Sequence, residues 1–146
     1  MPNFDSHTRE QLRRSYAEAW AKQLEGKPLV PLEALLCDVI GAHPEYQALL
    51  SNVATAQAFE AAAGDRENPF LHMGLHVAIR EQLAIDRPPG IAELHRQLLA
   101  QLGAPHAAEH ALMEALAETL WQAQRDGTAP DEGRYLSAAR HRLIKR

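Results

Sequence analysis

Residues 105–126, PHAAEHALMEALAETLWQAQRD, decide how this chain is read. Apolar side chains recur at spacings of three and four, Leu112, Met113 and Leu116 with Leu120 beyond them, and nothing alternates with the period of two that a strand requires. Pro105 sits where a first helical residue lacks an N–H partner in any case, and Gly127 supplies a stop, so the segment predicts one long helix. The same punctuation repeats outward. Asn68 and Pro69 open a helix to about Asp86, which Arg87-Pro88-Pro89-Gly90 stops, and a shorter one over 91–102 ends at Gly103. A last helix starts near Asp131. Toward the N-terminus, Ser6 precedes a helix over 7–24 with Leu12, Tyr16, Ala19, Trp20 and Gln23 near one side, ended by Gly26 and Pro28. Pro31 starts a helix to Ala42, closed by His43-Pro44. Residues 45–60 predict an Ala-rich helix or pair of helices, followed by the polar break Gly64-Asp65-Arg66-Glu67. The expected fold is all-α, a single-domain bundle of six or seven helices over residues 1–146, with Pro and Gly at its corners.

Composition narrows the function classes. With 46% hydrophobic and 23% charged residues the chain reads as an ordinary globular protein. Its 15 Lys and Arg are interspersed with 19 Asp and Glu for a net charge of -4, which excludes a surface that tracks nucleic-acid phosphates. The basic tail, Arg140, His141, Arg142, Lys145 and Arg146, reads as a solvated helix end. The one cysteine, Cys37, lies in the apolar run from Leu35 to Ile40 and has no internal disulfide partner, so it is expected to be a small buried hydrophobe in a reducing compartment. No stretch approaches the roughly 18 apolar residues of a membrane span, and residues 1–14 lack the apolar run of a signal peptide. The expectation is a cytoplasmic protein without nucleic-acid or membrane partners, able to pair with itself.

Chemistry is concentrated in histidines. His72/His76 and His106/His110 share one spacing, and residues four apart on a helix differ by only about 40° in direction, so each pair can present two imidazoles to one ion. His72 and His76 continue into Ile79 and Leu83, and His106 and His110 into Met113, Ala117 and Leu120, so both pairs are expected to face inward. With one short helix between them, the two histidine helices run parallel in an up-and-down bundle, which brings both pairs to the same end. His72, His76, His106 and His110 are therefore the candidate metal ligands. Glu109 falls within the apolar arc of Leu112, Met113 and Leu116, where it can ligate, hold a ligand histidine or act as a catalytic base. Glu114 lies at the arc's edge, Glu81 points largely away, and His43 and Glu45 can contribute from another element.

Imidazoles with carboxylates suit zinc, iron, manganese or nickel, and without a thiolate cluster there is no structural zinc ribbon or iron-sulfur centre. His106-Ala-Ala-Glu109-His110 matches the H-x-x-E-H pattern of inverted zincins, peptidases of much longer chain in which two histidines hold zinc and the glutamate activates water. The ligand types in His76–Glu81 and His110–Glu114 are similar to those of hemerythrin-like di-iron bundles, in a different order along the chain. Three metal-free readings stand beside these: a polar pocket for a small molecule, a buried hydrogen-bond network, and a non-enzymatic interaction module whose exposed apolar helix face binds a protein or a second copy. Trp20 and Trp121 are expected as core or interface anchors, and His7, His95 and His141 as solvated. No G-x-S-x-G elbow or phosphate-cradling glycine loop occurs.

Asn68-Pro-Phe-Leu-His-Met-Gly-Leu-His76, Arg80-Glu-Gln82, Asp86-Arg-Pro-Pro-Gly-Ile91, His106-Ala-Ala-Glu-His110 and Trp121-Gln-Ala-Gln-Arg125, with His43-Pro-Glu-Tyr46, resemble an uncharacterised bacterial family, domain of unknown function 1841. The resemblance covers the chain from about Trp20 to Arg140 and implies a small bacterial protein. The family carries no assigned activity.

Overall fold

Proline and short polar side chains set where the helices begin in the computed structural model, which describes residues 6–58 and 68–143, with side chains from Glu10 onward. Seven α-helices and no strand occur among these residues: α1 (Ser6–Leu24), α2 (Pro31–Gly41), α3 (Val53–Ala58), α4 (Pro69–Ile85), α5 (Ile91–Leu102), α6 (Pro105–Asp126) and α7 (Glu132–Arg140). The fold is all-α. Pro31, Pro69 and Pro105 each occupy the first helical position. Asn52 Oδ1 accepts the N–H of Thr55 at 2.8 Å, Asn68 Oδ1 that of Phe70 at 3.0 Å, and Asp131 Oδ1 that of Arg134 at 3.1 Å, so the starts of α3, α4 and α7 carry side-chain caps. Gly103 and Gly127, at φ 74° and 67°, end α5 and α6 in the left-handed conformation.

The least regular stretch is the one whose sequence left a choice. Residues 44–46 form a 3-10 turn and helix resumes only at Val53; residues 59–67, including the expected break from Gly64 to Glu67, lie outside the described residues. No helix among the described residues is long and apolar enough to cross a membrane.

Contacts divide the chain into two units, residues 1–73 and 74–146, with the boundary inside α4. In the first, α1 packs on α2 and α3 around Tyr16, Ala19, Trp20, Leu36, Val39, Ile40 and Leu50. Cys37 is 1% exposed and its thiol donates to Ala19 O at 3.2 Å, and burial pushes its pKa up, which makes it an inert core residue. The buried face of α1 differs from the expected one: Leu12 is 49% exposed and Gln23 is exposed, whereas Arg13 is buried. Arg13 earns no burial from hydrophobicity; its guanidinium lies 4.9 Å from the Phe70 ring centroid and donates to Gln57 O, contacts that draw its long stem inward.

In the second unit α6 packs against α5 and α7, and Ile79, Ile91, Leu94, Leu98, Leu112, Leu116 and Tyr135 build a continuous core. Each fully buried aliphatic side chain there contributes roughly 1.5–3 kcal/mol. The Tyr135 hydroxyl donates to Gln82 Oε1 at 2.6 Å, which ties α7 to the latter part of α4. The stripe that α6 buries is Ala108, Leu112, Met113, Ala115, Leu116, Thr119 and Ala123, so Met113 lies inside as expected whereas Ala117 and Leu120 are exposed. Thr119 joins it by donating its hydroxyl to Ala115 O at 2.8 Å, which removes the cost of burying that group. Trp20 belongs to the first core, while Trp121 is 57% exposed with Arg125 beside its ring.

Candidate metal centre

Because the buried stripe of α6 runs through Ala108 and Leu112, His106 and His110 lie on its flank, one exposed and one half-buried. His76 comes from α4, one turn before Ile79 of the core, and is 0% exposed. The three rings converge: centroids are 4.2 Å apart for His106 and His110, 5.0 Å for His76 and His110, and 5.2 Å for His76 and His106. Each offers a nitrogen such that the three ligand atoms lie within 4.8 Å of one another. Nitrogens bonded tetrahedrally to one ion at about 2.0–2.1 Å are about 3.4 Å apart, so the rings have to draw together to close the set on an ion. Among the described residues no Cys, Asp or Glu joins this group of donor atoms.

Glu109 acts on the trio from behind. Its Oε1 accepts from His76 Nδ1 at 2.7 Å and from Arg80 Nε at 3.1 Å. With the proton on Nδ1, the lone pair of His76 belongs to Nε2, the arrangement by which a carboxylate commonly orients a metal-binding imidazole. Burial by itself would raise the Glu109 pKa, but the hydrogen bond from His76 and the charge and hydrogen bond of Arg80 outweigh it and hold the carboxyl below its ordinary value. An ionised carboxylate engaged by two donors on one oxygen is a weak base and a firm anchor. The Glu109 side chain is 12% exposed.

His43 and His72 belong to the first unit, and Glu45, Glu81 and Glu114 are not among the clustered donor atoms. In the first unit the His43 ring stacks on Tyr46 at 5.2 Å and meets His72 edge-on at 5.0 Å, and His43 Nδ1 donates to Val39 O at 2.7 Å. Glu45 and Glu81 are exposed. Glu114 is exposed and faces Arg142 Nε at 3.6 Å. Arg80 is the member of this arrangement that sequence reasoning missed. Its signal was there, four residues beyond His76 and so on the same helix face, but a cation at that spacing ordinarily reads as surface.

The chain belongs to the family described as domain of unknown function (DUF1841), whose profile matches residues 8–141 of the 146. No curated protein and no solved structure matches it.

Proposed function

We propose that the protein binds one divalent transition-metal ion, zinc, iron, manganese or nickel, through His76, His106 and His110. Glu109 orients His76 in this reading rather than serving as the catalytic base, and Arg80 holds Glu109. The observation that carries the proposal is the convergence of three imidazoles from two helices, the most buried of them fixed by a carboxylate. Clustered imidazoles cannot all be protonated without mutual repulsion, and a shared cation removes that cost by using their lone pairs. Three imidazoles leave a tetrahedral ion one further position and a six-coordinate ion more, the condition for hydrolytic or redox chemistry. Protein purified without a histidine tag should carry metal by elemental analysis, and the pair of changes His76→Ala and His106→Ala should abolish it. Retention of full metal content in that double variant would reject the ligand assignment.

A second reading rests on Leu120 and Trp121, which are 40% and 57% exposed side by side on α6. In it the protein is an interaction module and the histidines form a metal-free network. Less than about a tenth of an equivalent of metal, with no thermal shift on adding zinc, iron or manganese, would favour it.

A further inference from the structure

Resting on the metal-binding reading above, we infer that the loaded site takes a small oxyanion, a carboxylate or phosphate group, as an exchangeable ligand. The argument is one of charge and access. Neutral imidazoles do nothing to offset the two positive charges of the ion, and no Cys, Asp or Glu among the described residues joins the donor atoms. The carboxylate next to the trio, Glu109, is itself matched by Arg80 through the 3.1 Å contact to Nε. The centre therefore keeps a net charge of about two positive units, and in a partly dehydrated setting such a charge is stabilised by an anion far more than by water. Access follows the gradient of exposure. His76 closes the inner side, while His106 is exposed, so a ligand approaches from the N-terminal turn of α6. The positive end of the α6 dipole lies at the same turn. Arg80 is 29% exposed, and with Nε engaged by Glu109 its two amino groups remain as donors suited to a planar or tetrahedral oxyanion.

The test uses the tag-free full chain loaded with cobalt(II), whose visible bands report changes in coordination. Sodium acetate and sodium phosphate are titrated separately against sodium perchlorate at matched ionic strength, with metal content checked after each addition. Saturable band changes with acetate or phosphate but not perchlorate are expected, and the more effective of the two identifies the oxyanion class. Arg80→Gln should weaken the effect roughly threefold to tenfold by leaving Glu109 uncompensated and removing the charge, and Arg80→Lys, which keeps the charge but loses the paired amino donors, should fall between Arg80→Gln and the parent protein. Bound cobalt whose bands respond to neither anion would overturn the inference and leave the metal site standing. Equal anion affinity in Arg80→Gln and the parent would overturn its electrostatic basis. Failure to bind cobalt would remove both the metal site and the inference built on it.

Discussion

At the scale of single residues, the chemistry turns on one oxygen atom. Glu109 Oε1 serves His76 Nδ1 and Arg80 Nε together, so the carboxylate links a buried imidazole to a cation at the edge of the unit. Replacing it by glutamine keeps the shape but removes the charge that favours a proton on Nδ1. Either amide orientation also serves the two donors less well than a carboxylate does. Glu109→Gln is expected to weaken metal binding about 10- to 100-fold, measured by competition with a chelator, while the far-ultraviolet spectrum stays helical. Unchanged affinity would remove Glu109 from the site. Of this constellation, His76, His106 and His110 were legible because a four-residue spacing on a helix is a geometric statement, but the same spacing also named His72, whose ring packs on His43 and Tyr46 instead. Glu109 was legible because a carboxylate within an apolar arc needs a partner. Arg80 was not, since nothing in its own neighbourhood of sequence says that the carboxylate it meets lies on α6.

At the scale of elements, helix ends were readable and helix faces less so. Pro31, Asn68, Pro69, Pro105 and Gly127 are local devices whose effect needs no tertiary context, and the observed boundaries lie within a residue or so of those they predict. The buried faces of α1 and α6 depend in part on neighbours: Phe70 draws Arg13 inward and Thr119 enters the core by bonding to Ala115, so hydrophobicity alone places Tyr16, Trp20, Leu112, Met113 and Leu116 correctly but misplaces Leu12, Gln23, Ala117 and Leu120. Asp86 shows how an element end carries a pH signature. At φ 51° it terminates α4 where glycine is usual, and its carboxylate accepts the N–H groups of Ala92 at 2.9 Å and Gly90 at 3.2 Å at the start of α5. Those bonds, Ala92 foremost, favour the ionised form and lower the carboxyl pKa below 3.8. A depressed folded-state pKa contributes stability that is present above the unfolded value and lost as pH falls through the folded one. The urea midpoint should therefore decline between pH 5 and about pH 2.5 by a smaller margin in Asp86→Asn than in the parent chain. An identical decline in both would mean that Asp86 does not cap α5.

At the scale of the whole molecule, family membership fixes descent without fixing chemistry, so a physical observable must decide whether the chain is a metalloprotein. Stability is that observable. All three proposed ligands belong to residues 74–146, and the helices that hold them share a core through Ile79 and Leu112, so an ion bound there stabilises packing as well as a site. An ion present at about a hundredfold excess over its dissociation constant adds about 2.7 kcal/mol to the folded state, which corresponds to an upward shift in Tm of roughly 5–10 °C for a chain of this size. With 8 histidines in the sequence, a shift by itself is ambiguous, because exposed imidazoles also bind zinc and nickel weakly. The contrast between variants resolves it. Loss of His76 takes away the most buried ligand but leaves the exposed His106 and His141 in place, so His76→Ala should lose most of the shift if the ion sits at the proposed centre. It should keep the shift in full if the ion is bound by scattered surface groups, and that outcome would return the three imidazoles to the role of a hydrogen-bonded network.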